Sequence, residues 1–120
     1  MTDDAFDLHS YVHGICVFNQ HHFFDAHEVL EDVWRAAPAE QKKFLQGLIQ
    51  LAVGLHHHST GNTVGALSLL KRAARNLATE PREPRGIRVT AVLNSIDECV
   101  GALERGMPLP HVPRLDEPEC

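Results

Sequence analysis

The sequence contains no apolar run near the roughly 20 residues that a membrane-crossing helix needs, so a spanning segment is not expected. Three cysteines, Cys16, Cys99 and Cys120, form neither a C-x-x-C pair nor an even framework, which excludes a zinc ribbon or a disulfide scaffold. Cys16 and Cys99 fall in helical patterns and read as buried thiols. Cys120, at the last position, is open to an adventitious intermolecular disulfide. There is no G-x-S-x-G, no glycine-rich phosphate loop and no cysteine with a recognisable histidine partner, so nucleophile and nucleotide chemistry have no support. Positive charge is also short: the net charge of −5 argues against nucleic acid as a partner. The opening residues, MTDDAFDLHS, are acidic and lack a basic-then-apolar signal pattern, and a cytoplasmic protein is expected. Strand-like alternation appears nowhere.

What remains is helix. Leu8, Tyr11, Ile15 and Phe18 fall at helical spacing and predict a first helix over about 5–19, broken by Asn19-Gln20-His21-His22. A second helix runs over about 23–37 and stops before Pro38, which disfavours helix at the residue preceding it. A third covers about 39–59, and Ser59-Thr60-Gly61-Asn62 supplies a stop and a restart. A fourth, about 63–78, carries Ala66, Leu70, Ala73 and Leu77. After the loop TEPREPRG, a fifth covers about 87–105 with Val89, Leu93, Ile96, Val100 and Leu103. The reading is all-α: a compact multihelical bundle of about five helices in a single domain, residues 1–107. A Pro-rich C-terminal tail, 108–120, is expected to lie extended over the surface or to fray. FFDAHEVLEDVWRA and TVGALSLLKRAARN also echo one another at an offset of 40, matching Ala26 with Ala66 and Leu30 with Leu70. That echo is weakly like a tetratricopeptide hairpin, whose period is about 34 residues, but two matched positions are what two unrelated amphipathic helices also give, and unrelated helices are the expected reading.

The charge is uneven. Residues 1–40 hold eight acids, including Asp25, Glu28, Glu31 and Asp32, against one base, Arg35. Residues 71–88 hold six bases, including Lys71, Arg72 and Arg75, against Glu80 and Glu83. A solvated helix face explains this, and an anion or partner surface is the alternative.

The second helix holds the odd residues. At about 100° per residue, with His27 at zero, Trp34, Phe23 and Leu30 lie between about −20° and −60°, Glu31 near +40° and Phe24 near +60°. His27 and Glu31 therefore fall inside an apolar arc bounded by Phe24, while Asp25, Asp32, Arg35 and, at its margin, Glu28 face solvent. The third helix is apolar nearly all round, which is usual for a central helix. Gly47 and Gly54 share one line of it, and close approach of another helix would explain both. Gln46, Gln50 and His57 form a narrow polar line, and His56 extends the apolar stripe of Ile49.

A buried carboxylate without partners costs several kcal/mol. Glu31 is thus expected to be paired with His27, one turn away, and with His56, Gln46 or Gln50 from the facing helix. The first reading is a buried His/Glu/Gln network that fixes helix packing. The second is a metal or small-ligand site, with His27, Glu31 and His56 holding a divalent ion such as zinc, and a metal-dependent hydrolase as its catalytic form. The sequence leaves open whether the protein is an enzyme. H-E-x-x-H is incomplete because position 31 is Glu, and no Glu-x-x-His pair exists. His56-His57-His58 resembles a metal tract, but helical neighbours point about 100° apart and cannot share one ion. The third reading is a tetratricopeptide-like partner-binding module. The partner, whether a small ligand, a protein or a second copy in a homo-oligomer, is left open.

These residues resemble a family. FNQHHFFDAHEVLEDVWR, FLQGLIQLAVGLHH and GNTVGALSLLKRA together look like the bacterial and archaeal domain-of-unknown-function family 309. Phe18, Asn19, Phe24, Asp25, Ala26, His27, Glu28, Leu30, Glu31 and Trp34 sit on its motif, followed by Gln46, Gly47, Leu48, Ile49, Gln50, Ala52, Gly61 and Asn62. The resemblance covers about residues 8–105 and implies a stand-alone all-helical domain; it implies no activity. His21 and His22 replace a glycine-plus-basic turn, which leaves the geometry of that turn to be determined.

Overall fold

The computed structural model describes residues 7–79 and 84–116. Glu80, Glu83 and Cys120, named above, lie outside the described residues, as does the predicted start of the first helix at residue 5. Five α-helices follow one another: α1 Leu8–Asn19, α2 Phe23–Ala36, α3 Ala39–Ser59, α4 Thr63–Leu77 and α5 Val89–Glu104. A single 3₁₀ turn, Pro84–Gly86, precedes α5, and the described residues contain no strand. No helix among them is long and apolar enough to cross a membrane.

The ends have local causes. Asp7 caps α1, accepting from the Ser10 backbone N–H at 3.1 Å and from its hydroxyl at 2.8 Å. That cap starts the helix at Leu8. Pro38 separates α2 from α3, and Asn62 caps α4 by accepting from Gly65 N–H at 2.9 Å. Close packing joins α1 to α2, α2 to α3, α3 to α4 and α4 to α5, so each helix packs chiefly on its neighbours in sequence. The most intimate seam is α3 on α4. There Gly47 and Gly54 let α4 approach: a Cβ on Gly47 would stand 2.8 Å from Leu77 Cγ, and one on Gly54 3.2 Å from Leu70 Cδ2. Buried Leu45, Leu48, Leu51 and Leu55 line α3, each stabilising the fold by roughly 1.5–3 kcal/mol.

The echo at an offset of 40 is a repeat in three dimensions. α1 ends with His22 N–H donating to Val17 C=O (3.2 Å) and His21 N–H to Phe18 C=O (2.8 Å). α3 ends with Asn62 N–H donating to His57 C=O (2.8 Å) and Gly61 N–H to His58 C=O (3.0 Å). Each bond of the first turn maps onto the second by adding 40. Both are Schellman closures around one left-handed residue, His21 at φ 68° and Gly61 at φ 85°. The turn left undetermined by the sequence is thus the same turn, with histidine held where glycine fits best. Gly14 meets Leu30 as Gly54 meets Leu70, again 40 apart. The buried positions 26, 30 and 33 of α2 recur as 66, 70 and 73 of α4. α5 ends in a third closure of the same kind, Met107 N–H to Ala102 C=O at 2.8 Å around Gly106. Two helical hairpins therefore stand in tandem, and α5 takes the place of the first helix of a third.

The tail does not fray within the described residues. It runs back extended along α5: Ser95 Oγ lies 2.6 Å from His111 Nε2, and Cys99 Sγ donates to His111 C=O at 3.5 Å. Asp116 accepts from Arg88 N–H (3.0 Å) and Nε (2.7 Å). Leu115 is buried in the core, where Asn19 of α1 both donates to its carbonyl and accepts from its N–H, each at 3.0 Å. Asn19 is the one buried polar residue among those described. Cys99 is buried and free, as read from the sequence. Cys16 is half-buried, not buried as read from the sequence.

Candidate functional site

α2 lies between α1 and α3, and its buried residues are Phe23, Ala26, Leu30 and Val33. On the helical wheel that face centres near −80° from His27. His27 is therefore at the margin of the core, and Glu31 further out. The dry arc of α2 is narrower than its apolar arc because Phe24, apolar in sequence, is 49% exposed. The His27 side chain keeps 19% of its surface and that of Glu31 keeps 40%.

The expected buried set does not close on itself. His27 Nε2 and Glu31 Oε2 stand 3.8 Å apart, beyond hydrogen-bond reach, so they pair only as ions when the imidazole is protonated. His27 Nδ1 lies 3.1 Å from the Phe24 carbonyl, which can only accept, so that nitrogen carries the proton. Glu31 turns outward to Arg35 at 3.2 Å, and Arg35 also holds Asp32 at 2.6 Å. Neither Gln46, which is exposed, nor Glu28, also exposed, enters the set. Gln50 is half-buried but faces the other side of α3, where it accepts from Asn76 of α4 at 2.7 Å. The network reading thus needs correction. Its members are divided between two seams, because α3 packs on α2 with one face and on α4 with the other. What remains at the α2 edge is a half-exposed ionic row.

The Phe24 ring packs against His27 and against His56 of α3, each at 5.2 Å between centroids, and His56 neighbours His57 at 6.2 Å. His57 Nδ1 lies 3.3 Å from Asn62 Nδ2, which ties the α3–α4 turn to this edge. Further along, Trp34 is half-buried at the α2/α3 seam; its Nε1 is sealed from solvent with no hydrogen-bond partner among the described residues. Lys42 of α3 lies 4.4 Å over the Trp34 ring and donates to the Trp34 carbonyl at 2.6 Å and that of Arg35 at 3.2 Å. It is the cation that closes the C-terminal end of α2. The sequence reading missed Lys42; its place shortly after the predicted helix end was the available signal.

Of the metal set His27, Glu31 and His56, the first two stand 3.8 Å apart, and His56 meets the Phe24 ring that His27 also touches. Among the described residues no three His, Cys, Asp or Glu side chains are grouped to hold an ion. The edge offers instead an exposed aromatic ring, flanking imidazoles and a row of acid–base pairs.

Residues 11–69 match the family described as domain of unknown function (DUF309). An uncharacterised protein of Aquifex aeolicus (strain VF5) is 35% identical over 92 residues, covering 76% of this chain and 28% of that protein. The uncharacterised protein YpuF of Bacillus subtilis (strain 168) is 43% identical over 61 residues, covering 50% of this chain and 35% of its own. This chain therefore spans about a third or less of the curated relatives it matches. The segment that matches the family holds the whole Phe24–His27–Glu31–Trp34 row and the His56 edge; the family relationship brings no specific activity with it.

Proposed function

We propose that this DUF309 chain is a helical-hairpin repeat module that binds a partner protein, with the edge formed by Phe24, His27 and His56 as a contact surface. The observation that carries this reading is the tandem hairpin. α1–α2 and α3–α4 share their turn hydrogen bonds and their glycine–leucine contacts at an offset of 40, and helices pack chiefly on their sequence neighbours. Chains built this way stack hairpins into a continuous core and leave a repeated outer edge free for recognition. Phe24 supplies the rigid apolar anchor such contacts favour, 49% exposed and braced by two imidazoles.

The test is a photo-crosslinking residue placed at Phe24 in the living cell, with His13, exposed on α1, as the control position. A discrete adduct with one cellular protein from position 24 and not from 13 supports the module. No adduct from position 24 overturns it. A stoichiometric metal ion in tag-free protein, lost on Glu31→Gln, would replace it with the metal-site reading.

A further inference from the structure

The two hairpins differ where equivalent positions face the next helix. On α2, Trp34 fills the seam with α3. The equivalent residue of α4 is Ala74, and α4 packs on α5 more sparsely than on α3. The space is open: a groove of about 550 Å³ lies between α4 and α5, floored by Ala74, Ala78, Leu93 and Val100. Where the first hairpin supplies its own indole, the second leaves an unfilled apolar slot.

The charges reverse at the same positions. On α2, Arg35 pairs with Glu31 and Asp32, one turn back. On α4 those positions hold Lys71 and Arg72, so Arg75, the counterpart of Arg35, has cations where its partner acids would be. Lys71 reaches across to Glu104 of α5 at 2.7 Å, whereas Arg75 makes no ion pair among the described residues. Lys71 and Arg75 both line the groove from α4, and Asp97 and Asn94 stand on the α5 wall. The α4 lip is thus cationic beside an apolar floor.

We infer that this groove receives one large apolar or aromatic side chain carried on an acidic segment of a partner protein, whose carboxylates pair with Arg75. The inference rests on the partner-binding reading and names a second surface with its own chemistry. The side chain takes the room that Trp34 occupies in the first hairpin, and the acids take the part that Glu31 and Asp32 play towards Arg35. A basic segment would meet Arg75 with like charge, which selects against it.

The probe is a fluorescein-labelled hexapeptide with one leucine and one tryptophan between pairs of aspartates, titrated by anisotropy at low salt. Saturable binding is expected. It should weaken at least about tenfold with Arg75→Glu, with Ala74→Trp, which fills the slot from within, and with a peptide whose aspartates are replaced by asparagines. Lys43→Glu, the same charge change on an exposed residue of α3, should leave binding unaltered. Failure of the peptide to bind, or equal binding by Arg75→Glu, overturns the inference; the Arg75→Glu arm decides the matter even if Ala74→Trp does not fold. A concentration-dependent dimer that Ala74→Trp dissociates would also overturn it, assigning the groove to a second copy. None of these outcomes bears on the adduct at Phe24, so the two readings fail separately.

Discussion

Asn19 and Leu115 stand 96 residues apart in sequence and exchange two hydrogen bonds, each of 3.0 Å. The side-chain amide of Asn19 does what a neighbouring strand would do, donating to the Leu115 carbonyl and accepting from its N–H. This fastens the tail, which returns along α5, to the C-terminal end of α1. Leu115 is thereby drawn into the core at 2% exposure.

Asn19→Ala should therefore destabilise the protein by about 1–3 kcal/mol, since it leaves a buried N–H and a buried C=O unpaired. Chemical denaturation measures the loss. A variant ending after Met107, which lacks the tail altogether, should lose more, and in that background Asn19→Ala should cost little. Additive losses would sink the clamp.

His21 holds a left-handed conformation, φ 68°, where its counterpart Gly61 holds φ 85°. That region costs a non-glycine residue roughly 1–2 kcal/mol, part of which is offset by the freedom glycine gains on unfolding. The ring also stacks on Phe23 at 5.5 Å. His21→Gly is expected to raise the unfolding free energy by up to about 1 kcal/mol, read as a higher denaturation midpoint. A fall would mean that the stacking outweighs the backbone strain.

Glu31→Ala should stay within about 0.5 kcal/mol of the parent, beside Asp32→Ala, because the half-exposed Glu31 and the exposed Asp32 both turn to Arg35 at the solvent edge. Had Glu31 been buried with His27, the same change would have approached the whole stability of a small domain. Parallel denaturation curves distinguish the two cases.

Partial burial pushes the Asp116 carboxyl up, but the hydrogen bonds from Arg88 outweigh it and hold the group below its ordinary value of 3.8. A lowered value in the fold favours the ionised folded state. The stabilisation is fully present above 3.8 and is lost as pH falls below it through the folded value. Relative to Asp116→Asn, the parent should hold a constant margin from about pH 5 to 8 and lose it as the solution is acidified further. A margin unchanged at the acid end would exclude the Arg88 contact as its source.

Burial pushes the Cys99 thiol up to about 11, with Glu98 adding to the effect. Thiolate is the reactive form, so at pH 8 only about one thiol in a thousand is available. Mass spectrometry after brief alkylation should find Cys99 unmodified in folded protein and modified once denaturant is added. Rapid labelling without denaturant would mean that the tail over Cys99 opens readily.

The sequence by itself determined the helices. Their spacing, the proline after Ala37, the Gly61-Asn62 restart and the absence of alternation gave five helices whose ends lie within a few residues of those observed, because these signals act locally. The all-round apolar pattern of α3 and its glycines likewise announced a central helix closely approached. The sequence also carried the echo at 40, though only shared hydrogen bonds and glycine contacts made it a repeat. Which way α2 faces was decided by tertiary packing. An exposed Phe24 looks apolar in one dimension, and its ring alone moved the expected core arc enough to draw Glu31 inward. The separation of Gln50 from His27 was likewise set by the two neighbours of α3, and the clamp of Asn19 on Leu115 by a contact across nearly the whole chain. Local preferences fix the elements; the side of each that is dry depends on what stands against it, and no window of sequence contains both partners.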